Sequence, residues 1–297
     1  MTYPTRPVRY VVGGSVGGGA DILARAIAQK LGEQWSQQVI VDNRPGGGGI
    51  VASEIVARSP PDGYTLLMAF TSHVTNPSLY PKLSYDAVRD FAPITLVAII
   101  PNMLVLHPSI AADSVPALLA LAKKKQLSFA STGSGASNHL AGILFGHMTG
   151  IKLLHVPYKG AGPAITSVLS AETDIMFATM VSILPQVNSG KLRALGVTGS
   201  RRSPVVPDLP TISESGVPGY EANAWFATFT AAGTPTALVQ RLNSEIVQII
   251  SSVEVRNRLA AQGAEASTST PQALGQYTRE EIRRWQRVIR ESGARAD

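Results

Sequence analysis

Gly13-Gly14-Ser15-Val16-Gly17 has the G-x-S-x-G spacing that exposes a nucleophilic serine on a sharp strand-to-helix turn, and Gly18 and Gly19 follow it. Three chemistries compete for such a loop. A nucleophile elbow needs strands and an oxyanion loop earlier in the chain, yet only fourteen residues precede Ser15. A phosphate-cradling P-loop needs Lys after its last glycine; Gly14 and Gly19 have the right separation, but Ala20 follows. The third is an anion site made of backbone alone. Val8–Val12 reads as a short buried strand, and from Asp21 onward Leu23, Ile27, Leu31 and Trp35 recur every four residues on one helical face. Strand, bare loop and helix start together offer unpaired N–H groups with no side chain in an anion's way. Asp21 is then the N-cap or first-turn acid of that helix.

Other candidate chemistry is weaker. Gly47-x-Gly49-x-x-Ala52 matches a dinucleotide fingerprint in form, but the ribose-binding acid expected about twenty residues later falls in "LLMAFTSH", which has none. That run reads as a structural loop. His73, His107, His139, His147 and His155 show no metal-site spacing, so no metal is expected; His139, at a helix start beside Ser137, suits a supporting or capping role. Lys123–Lys125 ends a helix, where cations suit the dipole. Tyr158 follows a strand into a loop and is a candidate cleft-wall residue, while Lys159 reads equally as surface.

The chain has 297 residues, enough for a large core and two domains. The absence of cysteine excludes disulfides, thiol nucleophiles and zinc thiolates without fixing a compartment. A net charge of +6 is mild, and its densest stretch mixes Arg279 to Arg290 with Glu280, Glu281 and Glu291, which is a solvated helix face. Aromatics are not interleaved with these bases, so no nucleic-acid partner is expected. Every apolar run is broken by Pro, Asn or charge before membrane-spanning length. Met1 leads at once into Thr-Tyr-Pro and a strand, with no signal-peptide character.

Strand and helix patterns alternate along the chain, which predicts an α/β fold. Strand Val39–Val41, a helix from "GGGGIVASEIVA" and strand "TLLMAF" complete a first unit. "PITLVAIIPNMLVLHPS" is two strand-like runs broken at Pro101-Asn102. A second unit follows: a helix capped by Ser114, then "LSFASTGSGASNHLAGILFGHM" and "LHVPYKGAGPAITSVLS", each strand, small-residue loop and helix. "YEANAWFATFTAAGTP" carries another strand, before a helix with Leu238, Leu242, Ile246 and Ile249 on one face and a last helix turning Ile282, Trp285 and Ile289 inward. Glycine loops at strand C-termini predict a ligand where those ends converge, in a cleft between domains.

Several phrases in fixed order carry a resemblance: "GGGADILARAIAQKLGEQW", "VIVDNRPGGGGIVASEIVARSPPDGYTLLM", "TNPSLY", "GSGASNHLAGILF", "VPYKGAGPA" and "PTISESGVPGY". From Tyr3 to about Gly293 the chain resembles the extracytoplasmic receptors of tripartite tricarboxylate transporters, called Bug proteins. The resemblance implies a periplasmic-binding-protein-like, clam-type fold with two domains, each a mostly parallel sheet flanked by helices. Domain I would be residues 1–104 plus 224–297 and domain II residues 105–223, joined by two hinge crossings. It implies a small organic acid held in the cleft, no cofactor and no catalytic residue. It also implies delivery to membrane transporter subunits, a monomer, and a periplasmic location with the leader absent from this sequence.

Carried over by position, the first ligand loop is Ser15, Val16, Gly18, Gly19, Ala20 and Asp21, and the second is Phe70, Thr71 and Ser72. Gly135, Ala136 and Ser137 match the contact loop of the other domain, with Tyr158, Ala178 and Thr179 beside it. Gly13-Gly14-Ser15 departs from the usual Pro-aromatic-Pro, leaving room for a bulkier ligand. Ala178-Thr179 departs from the usual Asp-Asn, removing a partner for a ligand amine. The expected ligand is therefore an unaminated acid, either a dicarboxylate or an aromatic carboxylate. The alternatives are a serine hydrolase using Ser15, an oxidoreductase using the Gly47 loop, and a cytoplasmic small-molecule sensor.

Overall fold

A computed structural model describes residues 3–261 and 263–292. Met1, Thr2, Gln262 and residues 293–297, which the sequence assigns to domain I, lie outside the described residues. The first unit runs β1 (Val8–Val12), α1 (Gly19–Trp35), β2 (Val39–Asn43), α2 (Ile50–Ala57), β3 (Thr65–Phe70), α3 (Ser72–Leu79) and β4 (Phe91–Ile100). The second runs β5 (Asn102–Leu106), α4 (Val115–Ala122), β6 (Leu127–Ser131), α5 (Ser137–Thr149), β7 (Leu153–Pro157), α6 (Ala161–Leu169), β8 (Ile175–Thr179), α7 (Met180–Asn188) and β9 (Arg193–Val197). The chain then returns as β10 (Ala224–Ala231), α8 (Thr236–Ser251), α9 (Val253–Ala260), β11 (Glu265–Ala266) and α10 (Pro271–Ser292). Among the described residues no helix is long and apolar enough to cross a membrane.

The elements follow from local physics. Val8, Tyr10, Val11 and Val12 are buried, as in a strand covered on both faces. Leu23, Ile27 and Leu31 are buried along α1, and Trp35 turns its indole N–H to Glu245 at 2.8 Å. The helix begins at Gly19, two residues before the expected Asp21, because Asp21 sits in its first turn and accepts the Gly17 N–H at 2.9 Å.

One sheet has the order β11-β4-β10-β3-β1-β2 and the other β7-β6-β8-β5-β9. Both are mixed yet mostly parallel, as expected: four of six strands in the first sheet and four of five in the second run in one direction. The β-α-β units make β2-β1-β3 and β7-β6-β8 parallel, whereas β10 pairs antiparallel with β3 and β4, and β5 with β8 and β9. The reason is the connection: β5 and β10 enter directly from the other unit, with no crossover helix to reset their direction.

The chain leaves the first sheet at Pro101, since Ile100 ends β4 and Asn102 starts β5. Proline supplies no ladder N–H, so pairing breaks there. The expected division after residue 104 falls inside β5. The return passes between Ala222 and Ala224, and the two crossings are tied: buried Asn102 donates from Nδ2 to the Ala222 carbonyl at 2.8 Å. One core cluster, including Tyr10, Met68, Met103, Met176 and Phe226, runs through both sheets beneath the crossings.

Candidate functional site

The C-terminal ends of the parallel strands of both sheets open onto one cavity of about 340 Å³, where sheet topology places ligands. Five helices begin on its wall. α1 presents Gly18, Gly19 and Ala20; α3 presents Thr71; α5 presents Ala136, Ser137 and Asn138; α6 presents Gly160 and Ala161; α7 presents Thr179 and Ser182. None of these helices has a side-chain cap from its own N-cap residue. Each helix start carries partial positive charge on its first N–H groups, though α5 donates one from His139 to Asn138 Oδ1 at 3.0 Å and α7 one from Met180 to the Pro101 carbonyl at 3.1 Å. Among the described lining residues Lys159 is the one charged side chain. The arrangement is electropositive mainly through backbone, which suits an anion.

Ten expected site residues line the cavity: Ser15, Gly18, Gly19, Ala20, Phe70, Thr71, Ala136, Ser137, Tyr158 and Thr179. Five do not. Val16 is 69% exposed, turned to solvent at the loop tip. Asp21 is buried behind the loop. Burial pushes its carboxyl up, but hydrogen bonds from Arg25, Gly17 and Asn43, with the Arg25 charge at 3.0 Å, bring it below the usual carboxylate range. It is an organiser of the glycine loop. Ser72 donates its hydroxyl to the Gly48 carbonyl. Gly135 is tied by both backbone groups, its N–H to His139 Nδ1 at 3.0 Å and its C=O to Thr75 Oγ1 at 2.7 Å. Ala178 is fully buried in β8 opposite Met103, so the expected loss of amine recognition does not arise there.

The sequence also missed part of the wall. Pro45–Gly48, read as a structural loop, lines the cavity, as do Thr132–Ser134, Ser182 and Phe226. The signal for the first was the glycine run itself. Gly48 has φ +60°, and a Cβ there would stand 2.8 Å from the Ser134 carbonyl, so the two halves meet backbone to backbone. Asn138 holds the Thr132 loop by accepting its N–H at 3.1 Å. Thr179 and Ser182 share a hydroxyl hydrogen bond of 2.8 Å.

Ser15 behaves as a cap. Its Oγ accepts the Ala161 N–H at 3.1 Å, so the first half caps α6 of the second. Gly160, with φ +106°, is required at that approach: a Cβ would lie 2.5 Å from Ser15 Oγ. No histidine or carboxylate lines the cavity among the described residues. His139 is pushed down to about 3 by burial and by the neighbouring His155 ring, and it accepts the Gly135 N–H as a neutral ring. Among the described residues no group of three His, Cys, Asp or Glu could hold a metal ion.

Residues 23–294 match the family described as "Tripartite tricarboxylate transporter family receptor". BugT of Bordetella pertussis is 36% identical over 99% of this chain and 91% of its own length. A Pseudomonas sp. protein from the tcbD-tcbE intergenic region is 39% identical over 97% of this chain and 86% of its own. A solved R. palustris protein with adipate superposes with a TM-score of 0.95, 35% identity and 98% coverage of both chains. MatC from Rhodopseudomonas palustris, with bound malate, gives 0.90, 31% identity and coverage of 97% and 100%.

Proposed function

The chain belongs to the tripartite tricarboxylate transporter receptor family, and from that premise we propose that it captures a small organic carboxylate in the cavity between its sheets. One observation carries this: five helix starts without caps of their own converge on a wall with no acidic side chain among the described residues. A carboxylate accepts hydrogen bonds from such N–H groups and gains from every dipole. Adipate and malate in similar proteins support the ligand class. The acid is unaminated, a dicarboxylate or aromatic carboxylate, because an ammonium group would face the same positive helix starts with no carboxylate to meet it. The basis is the whole wall, since Ala178 is off it.

The protein binds without turnover. Ser15 Oγ accepts the Ala161 N–H as a helix cap, and no histidine or carboxylate lies beside it on the wall among the described residues to take its proton. Two domains divide at Pro101 and between Ala222 and Ala224, and rotation about these crossings opens the cleft. The receptor works as a periplasmic monomer and hands its ligand to membrane transporter subunits. Calorimetry on matched pairs tests the reading: succinate should bind more tightly than aspartate and glutarate more tightly than glutamate. Tighter binding of both amino acids, or silence with every carboxylic acid, contradicts it. Small-angle scattering should show compaction at saturation.

A further inference from the structure

Thr75 lies in the middle of α3, fully buried and absent from the cavity wall among the described residues. Its hydroxyl has one proton and two acceptors. The Gly135 carbonyl, on the loop before α5 in the other half, is 2.7 Å away, and the Ser72 carbonyl, three residues back in α3, is 3.4 Å away. The shorter bond, the one that spans the halves, is the better made. Gly135 is placed to receive it from its own side, where His139 Nδ1 accepts its N–H at 3.0 Å and its φ is +83°. A Cβ there would come within 2.9 Å of Thr75 Oγ1 and 2.8 Å of Leu79 Cδ1, so α3 closes on bare backbone. The arrangement recurs at the first loop, where Ser15 Oγ meets the Ala161 N–H beside Gly160.

We propose that Thr75 is a positioning residue that latches the two halves closed, turning its hydroxyl from the Gly135 carbonyl to the Ser72 carbonyl when they part. The latch needs no ligand; its use in retaining one rests on the carboxylate-receptor reading. The spare acceptor makes it reversible. A buried donor pulled from its partner costs its full desolvation when nothing replaces the bond, but a threonine hydroxyl in a helix can turn back to a carbonyl of the preceding turn. Gly135 meanwhile keeps its bond to His139, and its carbonyl goes to water. Opening therefore exchanges a bond of 2.7 Å for one of 3.4 Å and leaves no donor stranded. The closed form is favoured by that difference alone, the open form stays within reach for ligand entry, and a ligand that binds the closed form shifts the balance further. Thr75 acts through the Gly135 loop, whose Ser134 and Ala136 line the cavity.

The test is a distance measurement on the full chain without ligand. The sequence has no cysteine, so Val51→Cys and Leu154→Cys, at exposed positions one on each half, take two nitroxide labels for pulsed electron paramagnetic resonance. In this background Thr75→Val and Thr75→Ala remove the hydroxyl, and Thr75→Ser keeps it. The protein with Thr75 and the Thr75→Ser variant should share one predominant distance. Thr75→Val and Thr75→Ala should each raise the population of a second, open distance by about fivefold relative to the first, as the loss of one hydrogen bond. With succinate as probe, dissociation should quicken by about the same factor in those two variants and stay unchanged in Thr75→Ser. An unchanged distance distribution in both hydroxyl-free variants, a shift as large in Thr75→Ser, or a protein with Thr75 that is wholly open without ligand overturns the latch and leaves the receptor reading standing. Failure of every protein to bind succinate or any other carboxylic acid, with the distances shifting as expected, removes the receptor reading and leaves the latch.

Discussion

Three helices that start away from the cavity are built differently from the five that start on it. Ser114 accepts the Ala117 N–H at 3.3 Å to begin α4, Ser252 the Val255 N–H at 3.3 Å to begin α9, and Thr270 the Ala273 N–H at 3.1 Å at the start of α10. At the cavity the corresponding N-cap residues are Gly18, Thr71, Ala136, Gly160 and Thr179, none of which caps its own helix. A side-chain cap stabilises by about 1 kcal/mol, so the fold forgoes that at five places facing one space. The outer α4, α9 and α10 are finished locally, whereas α2 and α8 begin at Gly49 and Pro235 without a side-chain cap. The inner ones have no cap from their own N-cap residue, and three pair one first-turn amide elsewhere: His139 of α5 with Asn138, Ala161 of α6 with Ser15 and Met180 of α7 with the Pro101 carbonyl.

The contrast breaks most severely at Gly19. A Cβ there meets Phe226 at 3.1 Å, Val181 at 3.4 Å and Thr179 Oγ1 at 3.5 Å, so Gly19→Val fills the α1 start. Binding should weaken by roughly 3 kcal/mol or more, about a hundredfold, in calorimetry, through overpacking and lost access to the amides. Acid should unsettle the fold next. Burial holds His73 at about 4, and burial with His155 holds His139 at about 3, against an ordinary 6.5. The unfolded chain therefore takes up protons first as pH falls. Stability is full above about 6.5 and is lost progressively down to about 4 for His73 and about 3 for His139, by on the order of 3 kcal/mol for the first ring and 5 kcal/mol for the second. Melting curves from pH 7.5 to 4 should slope downward, and a flat profile contradicts neutral buried rings.

Ser137→Ala should weaken ligand binding by about 2 kcal/mol as the loss of a donor to a charged group, with little change in melting. Ser114→Ala and Ser252→Ala should do the reverse, each lowering stability by about 1 kcal/mol and leaving affinity intact. If the outer caps changed affinity as much as Ser137→Ala, the division between the two kinds of helix start would be lost.

Features that depend on neighbours in the chain were legible in the sequence. The strand Val8–Val12, the Ser114 cap with Pro116 after it, and the glycine loop before α1 stand as local rules put them. Features that depend on distant partners were not. Pro45–Gly48 joins the wall because Gly48 meets Ser134 of the other half, and Phe226 arrives on a strand that returns after more than a hundred residues. α3 was hidden by its polar "SHVTNPSL" and internal Pro77, and is held by tertiary contacts through buried Val74, Asn76 and Leu79. Ala178 misled because position in a phrase does not say whether a side chain faces cavity or core. Antiparallel β5 and β10 escaped because alternation of strand and helix reports β-α-β units and is silent on strands that enter from another unit.

The central claim is that main-chain amides at uncapped helix starts hold a carboxylate between the two halves. A high-resolution structure with the tightest-binding acid from the calorimetry tests it most directly. One carboxylate should lie about 3 Å from main-chain nitrogens at the start of α1 and at the start of α5 or α6. A ligand bound outside the cavity, or inside it with its carboxylates paired to side chains alone, contradicts the account.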